Sequence, residues 1–139
     1  MNDTQTAKSR GQQPPPVRIL IAEDSESNQM LLSLYLTDSG YALDFAANGR
    51  EAVSLFKAGS YSLVLMDIFM PILDGLDATR EIRDFERDRG LSPVPIAAVS
   101  ANAFTEDRER SLQAGCTNFL AKPIRKIPLL KFIADTLGD

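Results

Sequence analysis

Asp67 closes the run Ser62-Leu63-Val64-Leu65-Met66-Asp67, so a carboxylate stands at the end of four consecutive apolar residues. Such a run suits a strand covered on both faces, as in a parallel sheet. Glu23 and Asp24 follow a second apolar run, Arg18-Ile19-Leu20-Ile21-Ala22. Ser100 follows Ile96-Ala97-Ala98-Val99, and Lys122 follows Phe119-Leu120-Ala121 and precedes Pro123. In open parallel sheets, ligand chemistry takes place outside the carboxyl ends of the strands. Three carboxylates, one hydroxyl and one ammonium are therefore expected at one edge of one sheet.

Carboxylates grouped in this way repel one another unless a cation lies between them. Mg²⁺ favours a few carboxylates completed by water and phosphate oxygens, and Mn²⁺ shares the taste for oxygen ligands. A lysine ammonium is a compact point charge suited to phosphate. A serine hydroxyl can donate a hydrogen bond to a phosphoryl oxygen. The set therefore suits placing a phosphoryl group on a carboxylate, with Asp67 as the acceptor. Each residue alone has an ordinary reading: Asp67 as a loop or helix-cap aspartate, Glu23 and Asp24 as a solvated turn before a helix, Lys122-Pro123 as a strand exit. Their joint occurrence at strand ends favours the chemical reading.

The elements that must position these groups alternate along the chain. Strands are expected over Arg18–Ala22, Ala42–Ala46, Ser62–Asp67, Ile96–Val99 and Phe119–Ala121. The first helix is expected over Ser27–Asp38, with Leu31, Leu34 and Tyr35 on its inner face and Gly40 as a stop. Asn48, with Glu51 three residues on, resembles a capping box for a helix reaching Ala58. Asp74 caps a third helix with Ala78, Ile82 and Phe85 inward and Gly90 beyond its end. Pro93 and Pro95 open strand four. A charge-rich, thinly apolar helix over Thr105–Ala114 is the one expected to bury least. A last helix over Pro128–Leu137 should bury Leu130, Ile133 and Leu137, with Pro128 in its first turn. Alternating strands and helices indicate an α/β, doubly wound, flavodoxin-like fold with a parallel sheet of order 2-1-3-4-5.

At 139 residues the chain is one domain by length, and 44% hydrophobic residues suffice for one core. Residues 1–16 are polar and end in Pro14-Pro15-Pro16, the composition of a flexible tail or linker, leaving 17–139 for the folded domain. The net charge of −4 gives no electrostatic case for nucleic acid or an anionic membrane. No run reaches the roughly 18 apolar residues of a membrane span, and Met1 to Arg10 lacks the apolar stretch of a signal peptide. The single cysteine, Cys116, excludes an internal disulfide and fits a reducing, cytoplasmic setting; it reads as a small packing residue. With no histidine in the chain, His-based metal sites are excluded, and the chain cannot itself carry a phosphohistidine.

Ile21-Ala22-Glu23-Asp24, Leu65-Met66-Asp67-Ile68-Phe69-Met70-Pro71, Asp74-Gly75, Val99-Ser100-Ala101 and Phe119-Leu120-Ala121-Lys122-Pro123 together resemble the receiver (response regulator) domain of two-component phosphorelays. The likeness covers about residues 17–137. The stretches Glu23 to Asn28 and Val99 to Ala103 most resemble receivers of hybrid sensor histidine kinases. The resemblance implies that Asp67 accepts a phosphoryl group from a histidine kinase or histidine phosphotransfer domain, a phosphoprotein role in signalling rather than that of a turnover enzyme. It implies that Mg²⁺ is held by Asp24, Asp67 and the backbone carbonyl of Phe69, with Glu23 acting through water. It implies that Lys122 and Ser100 bind phosphoryl oxygens, that Ser100 and Phe119 form the switch, and that strand four, helix four and strand five carry the readout. It also implies a cis peptide before Pro123.

Two residues depart from the family's usual pattern. Glu23 stands where aspartate is common, and its longer arm suggests a shifted or water-mediated metal contact. Phe69, two beyond the acceptor, stands where polar residues are common; it cannot hydrogen-bond a hydrolytic water, which leaves Asn102 as the polar group able to help. Three rival readings exist. An aspartate-nucleophile phosphatase of the haloacid dehalogenase type wants an acid where Phe69 stands. A flavodoxin wants a phosphate-cradling loop after strand one. A pseudo-receiver would lack the acceptor, metal pair and lysine that this chain has. The sequence carries no signal of cognate kinase, stimulus or oligomeric state.

Overall fold

The computed structural model describes residues 16–102 and 105–138, so of the expected tail only Pro16 falls within the described residues. The elements are β1 (Arg18–Ala22), α1 (Glu26–Tyr35), β2 (Ala42–Ala46), α2 (Gly49–Ala58) and β3 (Leu63–Asp67), followed by α3 (Gly75–Arg89), β4 (Ile96–Ser100), α4 (Thr105–Ala114), β5 (Asn118–Ala121) and α5 (Lys126–Leu137). The strands pair in parallel in the order β2-β1-β3-β4-β5, as the sequence pattern predicts.

The two-residue period of a strand divides the core into two layers. Leu20, Ala22, Val64, Met66, Ile96 and Ala98 face Ala52, Val53 and Phe56 of α2, Leu76, Ala78 and Ile82 of α3, and Ala114 of α4. Ile19, Ile21, Leu63, Leu65, Ala97 and Val99 face Leu32 and Leu36 at α1 and Leu129 and Ile133 of α5. Every residue of β3 and β4 is buried. That explains why these strands read as continuous apolar runs rather than as alternating ones.

Two helix faces differ from expectation. α1 spans Glu26–Tyr35 and turns Leu32 inward, with Leu36 just beyond it, while Leu31 and Leu34 are 40% and 63% exposed. Leucines at 31, 32, 34 and 36 make two overlapping stripes, both passing through Tyr35. The choice between them is set by where the helix starts. Ser25 caps it, its Oγ accepting from the Asn28 N–H at 3.3 Å, and the Gln29 amide nitrogen donates to the Glu23 carbonyl at 2.6 Å. Likewise α5 begins at Lys126 and buries Leu129 with Ile133, leaving Leu130 and Leu137 only partly buried. Pro128 does fall in its first turn.

Other local expectations hold. Asn48 caps α2 through Oδ1, which accepts from the Glu51 N–H at 2.8 Å, while Glu51 Oε1 reaches back to the Ala47 N–H at 2.6 Å. Asp74 caps α3, and Gly90 ends it at φ 66°. Pro93 and Pro95 lie just before β4 rather than in it. One expectation fails: α4 is not the helix that buries least, since among its described side chains Asp107, Ser111 and Ala114 are buried where α1 buries only Leu32, although none of the three is large and apolar.

Glu86 is a buried acid that the periodicity did not reveal. It is 3% exposed, takes the Arg83 guanidinium on Oε1 at 2.7 Å and accepts the Val94 N–H on Oε2 at 2.8 Å. It thus ties the end of α3 to the segment entering β4. Removing one partner of a buried pair leaves the other charge uncompensated. Glu86→Ala is expected to lower the urea-unfolding free energy by about 3 kcal/mol and to leave the strand-end chemistry in place.

Candidate functional site

The strand ends bring the expected groups together. Asp67 is the last residue of β3, paired in register with Val99, so its side chain leaves the sheet one residue short of Ser100 at the end of β4. Glu23 and Asp24 follow β1, and Lys122 follows β5. Glu23 and Asp67 are each 4% exposed, whereas Asp24 is open to solvent. One carboxylate oxygen from each of Glu23, Asp24 and Asp67 lies within 4.8 Å of the others.

Lys122 joins two of these acids. Its Nζ lies 2.8 Å from Asp67 Oδ2 and 3.1 Å from Glu23 Oε1. Its backbone N–H donates to the Ser100 carbonyl at 2.9 Å, and its bond to Pro123 is cis, as the resemblance implied. The remaining Asp67 oxygen, Oδ1, accepts the Phe69 N–H at 3.2 Å, so both oxygens of the acceptor are oriented. Glu23 Oε2 accepts the Ser25 N–H at 3.0 Å. A cavity of about 330 Å³, lined in part by Glu23, Asn28, Leu31, Ala101 and Lys122, opens beside the ammonium.

Burial pushes the Asp67 carboxyl above the ordinary carboxylate range. Lys122 opposes this through its hydrogen bond and charge, Glu23 reinforces it, and the Phe69 N–H opposes it. For Lys122, burial acts to lower the pKa, but Asp67 and Glu23 together outweigh it and hold the ammonium above its usual value. Three carboxylates face one ammonium, and all are hard oxygen donors. The set leaves negative charge in excess and fits Mg²⁺ better than a soft metal.

Ser100 is 1% exposed, and its Oγ accepts the Asn102 N–H at 3.0 Å. It is thus placed at the rim, and among the described residues its hydroxyl proton is held only by a 3.5 Å contact to the Asn102 carbonyl. Phe119 is partly buried against the α2–α3 layer, and the Arg108 guanidinium of α4 sits over its ring, 4.7 Å from the centroid. Arg108 lies in the charge-rich helix that the sequence gives no reason to single out, and its place over Phe119 carries no signal in the chain. Cys116 packs in the core as expected. Burial pushes its thiol up, against the Thr79 hydroxyl and the Arg83 and Arg80 charges.

The loop from β3 to α3 holds the acceptor in place. The Gly75 N–H donates to the Ile68 carbonyl at 2.8 Å, and a Cβ on Gly75 would meet the Asp67 carbonyl oxygen at 2.1 Å. Gly49, which the motif reading overlooked, donates to the Leu73 carbonyl at 2.9 Å and would clash with it at 2.2 Å if it carried a Cβ. Its signal was the Asn-Gly pair after a strand, a turn signature. Within the loop the Leu73 N–H bonds the Pro71 carbonyl at 2.7 Å, closing a three-residue turn around Ile72 at φ 72°. Such turns are rare and strained; for a β-branched residue the strain is of order 1–3 kcal/mol.

The raised Asp67 pKa makes a stability prediction. Below the ordinary value of 3.8 the carboxyl is protonated both folded and unfolded, and the charge has no effect on stability. As pH rises through the higher folded value, the buried charge destabilises the fold, and the effect is complete above it. Without divalent metal, Asp67→Asn is expected to melt above the wild type at pH 7, with the difference shrinking towards pH 4 in thermal melts.

The sequence pattern of the response regulator receiver domain matches residues 19–134. Hybrid signal transduction histidine kinase B of Dictyostelium discoideum is 40% identical over 121 residues, covering 81% of this chain and 6% of that protein. Osmolarity two-component system protein SSK1 of Saccharomyces cerevisiae is 31% identical over 144 residues, covering 87% of this chain and 20% of that protein. The chain thus spans only a small part of these relatives. A chain of the co-crystal of the S. cerevisiae histidine phosphotransfer protein Ypd1 with the receiver domain of Ssk1 superposes with a TM-score of 0.85 at 34% identity, covering 89% of this chain and 90% of that one. The receiver domain of sensor histidine kinase PA1611 from Pseudomonas aeruginosa PAO1, solved with a coordinated magnesium ion, gives 0.79 at 39% identity over 90% of this chain and 100% of that one.

Proposed function

This chain belongs to the response regulator receiver domain family, and on that premise we propose that it takes a phosphoryl group from a phosphohistidine-bearing kinase or phosphotransfer protein onto Asp67. The observation that carries the reading is the bridge from Lys122 Nζ to both Asp67 and Glu23, at 2.8 and 3.1 Å. A fixed positive charge beside the Asp67 carboxylate supports a phosphoryl group there. The chain acts as a signalling domain modified once per cycle, not as an enzyme turning over a free substrate. No described helix is long and apolar enough to cross a membrane. A lone buried thiol fits a reducing compartment, and we assign the domain to the cytoplasm.

An Asp67 oxygen attacks phosphorus in line. The P–N bond to the partner's imidazole breaks as the O–P bond forms, and the bonding pair leaves on the ring nitrogen. Lys122 shifts its charge from Asp67 to a phosphoryl oxygen. Ser100 keeps its Oγ–H available to donate to a second oxygen. Asp24 and Asp67, the Phe69 carbonyl and, through water, Glu23 would hold Mg²⁺. When bound, that ion offsets the repulsion between carboxylate and phosphoryl oxygens.

Readout follows from the same atoms. Drawing Ser100 towards the phosphoryl group opens space beside β4, and Phe119, opposite Ala98 in register, can turn into it. That turn removes the ring from under Arg108, so α4 loses this cation–π contact with β5 when the switch is thrown. The surface formed by β4, α4 and β5 thereby differs between the two states.

With acetyl phosphate and Mg²⁺, wild type is expected to gain the mass of one phosphate and Asp67→Asn none under the same conditions. At limiting Mg²⁺, Asp24→Asn should be labelled at least about tenfold more slowly. A label on Asp67→Asn would overturn the acceptor assignment and with it the reading.

Phosphoryl lifetime is set by access of an in-line water about 3–3.5 Å from phosphorus. Phe69 offers such a water no hydrogen bond, so slow intrinsic hydrolysis is expected. Phe69→Asn should shorten the half-life about tenfold, or ~1.4 kcal/mol in the barrier, and Asn102→Ala should lengthen it. Decay of the purified aspartyl phosphate after donor removal measures both.

A further inference from the structure

The cavity beside Lys122 is larger and more apolar than a phosphoryl group needs. It holds about 330 Å³, and Leu31, Leu32, Pro123 and Ile124 form its walls. Side chains facing an unfilled space forgo dispersion contacts that a ligand would supply. At one end stands the Lys122 ammonium, 2.8 Å from the Asp67 carboxylate. Asn28 also lines the cavity; it is half-buried, and its side-chain amide makes no hydrogen bond among the described residues. Glu23, the acid in the lining, has both oxygens engaged, by Lys122 at 3.1 Å and by the Ser25 N–H at 3.0 Å.

The order of these groups selects a chemistry. Asn28 precedes Leu31 and Leu32 by one turn of α1, on the same face and nearer the strand ends. From Asp67 outward a ligand therefore meets a cation, then an amide, then apolar walls. An acyl phosphate carries the matching series: phosphoryl oxygens, a carbonyl and an alkyl chain. A two-carbon acyl group brings three heavy atoms, about 90 Å³ at roughly 30 Å³ each, and leaves most of the cavity empty. A chain of four to six carbons fills about half of it or more by the same measure.

We propose that this cavity is an acyl-binding pocket, through which Asp67 takes phosphoryl groups directly from acyl phosphates of about four to six carbons; this rests on the phosphoacceptor reading above. An Asp67 oxygen attacks phosphorus, the P–O bond to the acyl group breaks, and the bonding pair leaves on the released carboxylate. The Asn28 amide N–H donates to the acyl carbonyl oxygen. Leu31, at the cavity wall, sets the preference for chain length.

The test labels wild type, Leu31→Asn and Leu34→Asn with three donors below saturation, each with Mg²⁺, and follows the added mass. The donors are acetyl phosphate, butyryl phosphate and phosphoimidazole, whose leaving group is the ring of a phosphohistidine. Acetate and butyrate are nearly equal leaving groups, so chemistry alone makes the first two rates equal. Butyryl adds two methylenes, each worth about fourfold when fully buried. Since Leu31 is itself 40% exposed, butyryl phosphate is expected to label wild type about five- to tenfold faster than acetyl phosphate. Leu31→Asn should cut that ratio to about two. Leu34→Asn, on the same helix but outside the cavity, should keep it. A ratio taken within one protein is not moved by a general loss of activity. Equal rates from the two acyl phosphates on wild type would overturn the proposal. So would an undiminished ratio in Leu31→Asn, an equal fall in Leu34→Asn, or labelling by phosphoimidazole with none from either acyl phosphate. No label on wild type from any of the three donors would instead bring down the phosphoacceptor reading itself.

Discussion

Two carboxylates with almost no solvent access sit beside each other at the edge of this sheet, and one ammonium holds them there. Glu23 and Asp67 are each 4% exposed, and Lys122 bridges them. Buried like charges are tolerable only where an opposite charge is fixed between them. Fixing it requires β1, β3 and β5 to end at one level, although β5 lies two strands from β3. The parallel register does this: Ala22 pairs with Met66, Asp67 with Val99, and Ser100 with Ala121. The sheet is thus a frame for three charges, and the layers above and below it keep the frame from shifting.

The frame also accounts for the residues that do no chemistry. Gly75 is needed because the chain must touch the acceptor strand on its return, and Gly49 because the same loop must rest on α2. Glu86 ties the far end of α3 down. The two glycines fix the loop whose displacement would move the Asp67 carboxylate.

Most of this was legible in the sequence because parallel strands leave a strong trace. Runs such as Leu63 to Met66 are apolar without alternation, and a polar residue at the end of each run marks the reactive edge. Helix rotation was harder to read. Leu31 with Leu34 and Leu32 with Leu36 are equally periodic, and only the Ser25 cap decides between them. Leu129 and Leu130 posed the same ambiguity beside Ile133. Glu86 and Arg108 were missed because their roles depend on partners distant in sequence or in an adjacent element, Val94 and Phe119. The conformation of Ile72 was invisible, because an isoleucine in a loop carries no signal of positive φ.

The inner face of α4 has a consequence for the time domain. Among its described side chains the buried ones are Asp107, Ser111 and Ala114, and one oxygen of Asp107 is buried without a hydrogen-bond partner among the described residues. A helix seated on small and polar groups forfeits little dispersion energy when it slides or frays. Its amides should therefore exchange with solvent deuterium through local openings well below the free energy of global unfolding, while those of β3 and β4 wait for the whole domain. The domain would then relax on two clocks, a slow one in the charge frame and a fast one in the helix that rides over Phe119.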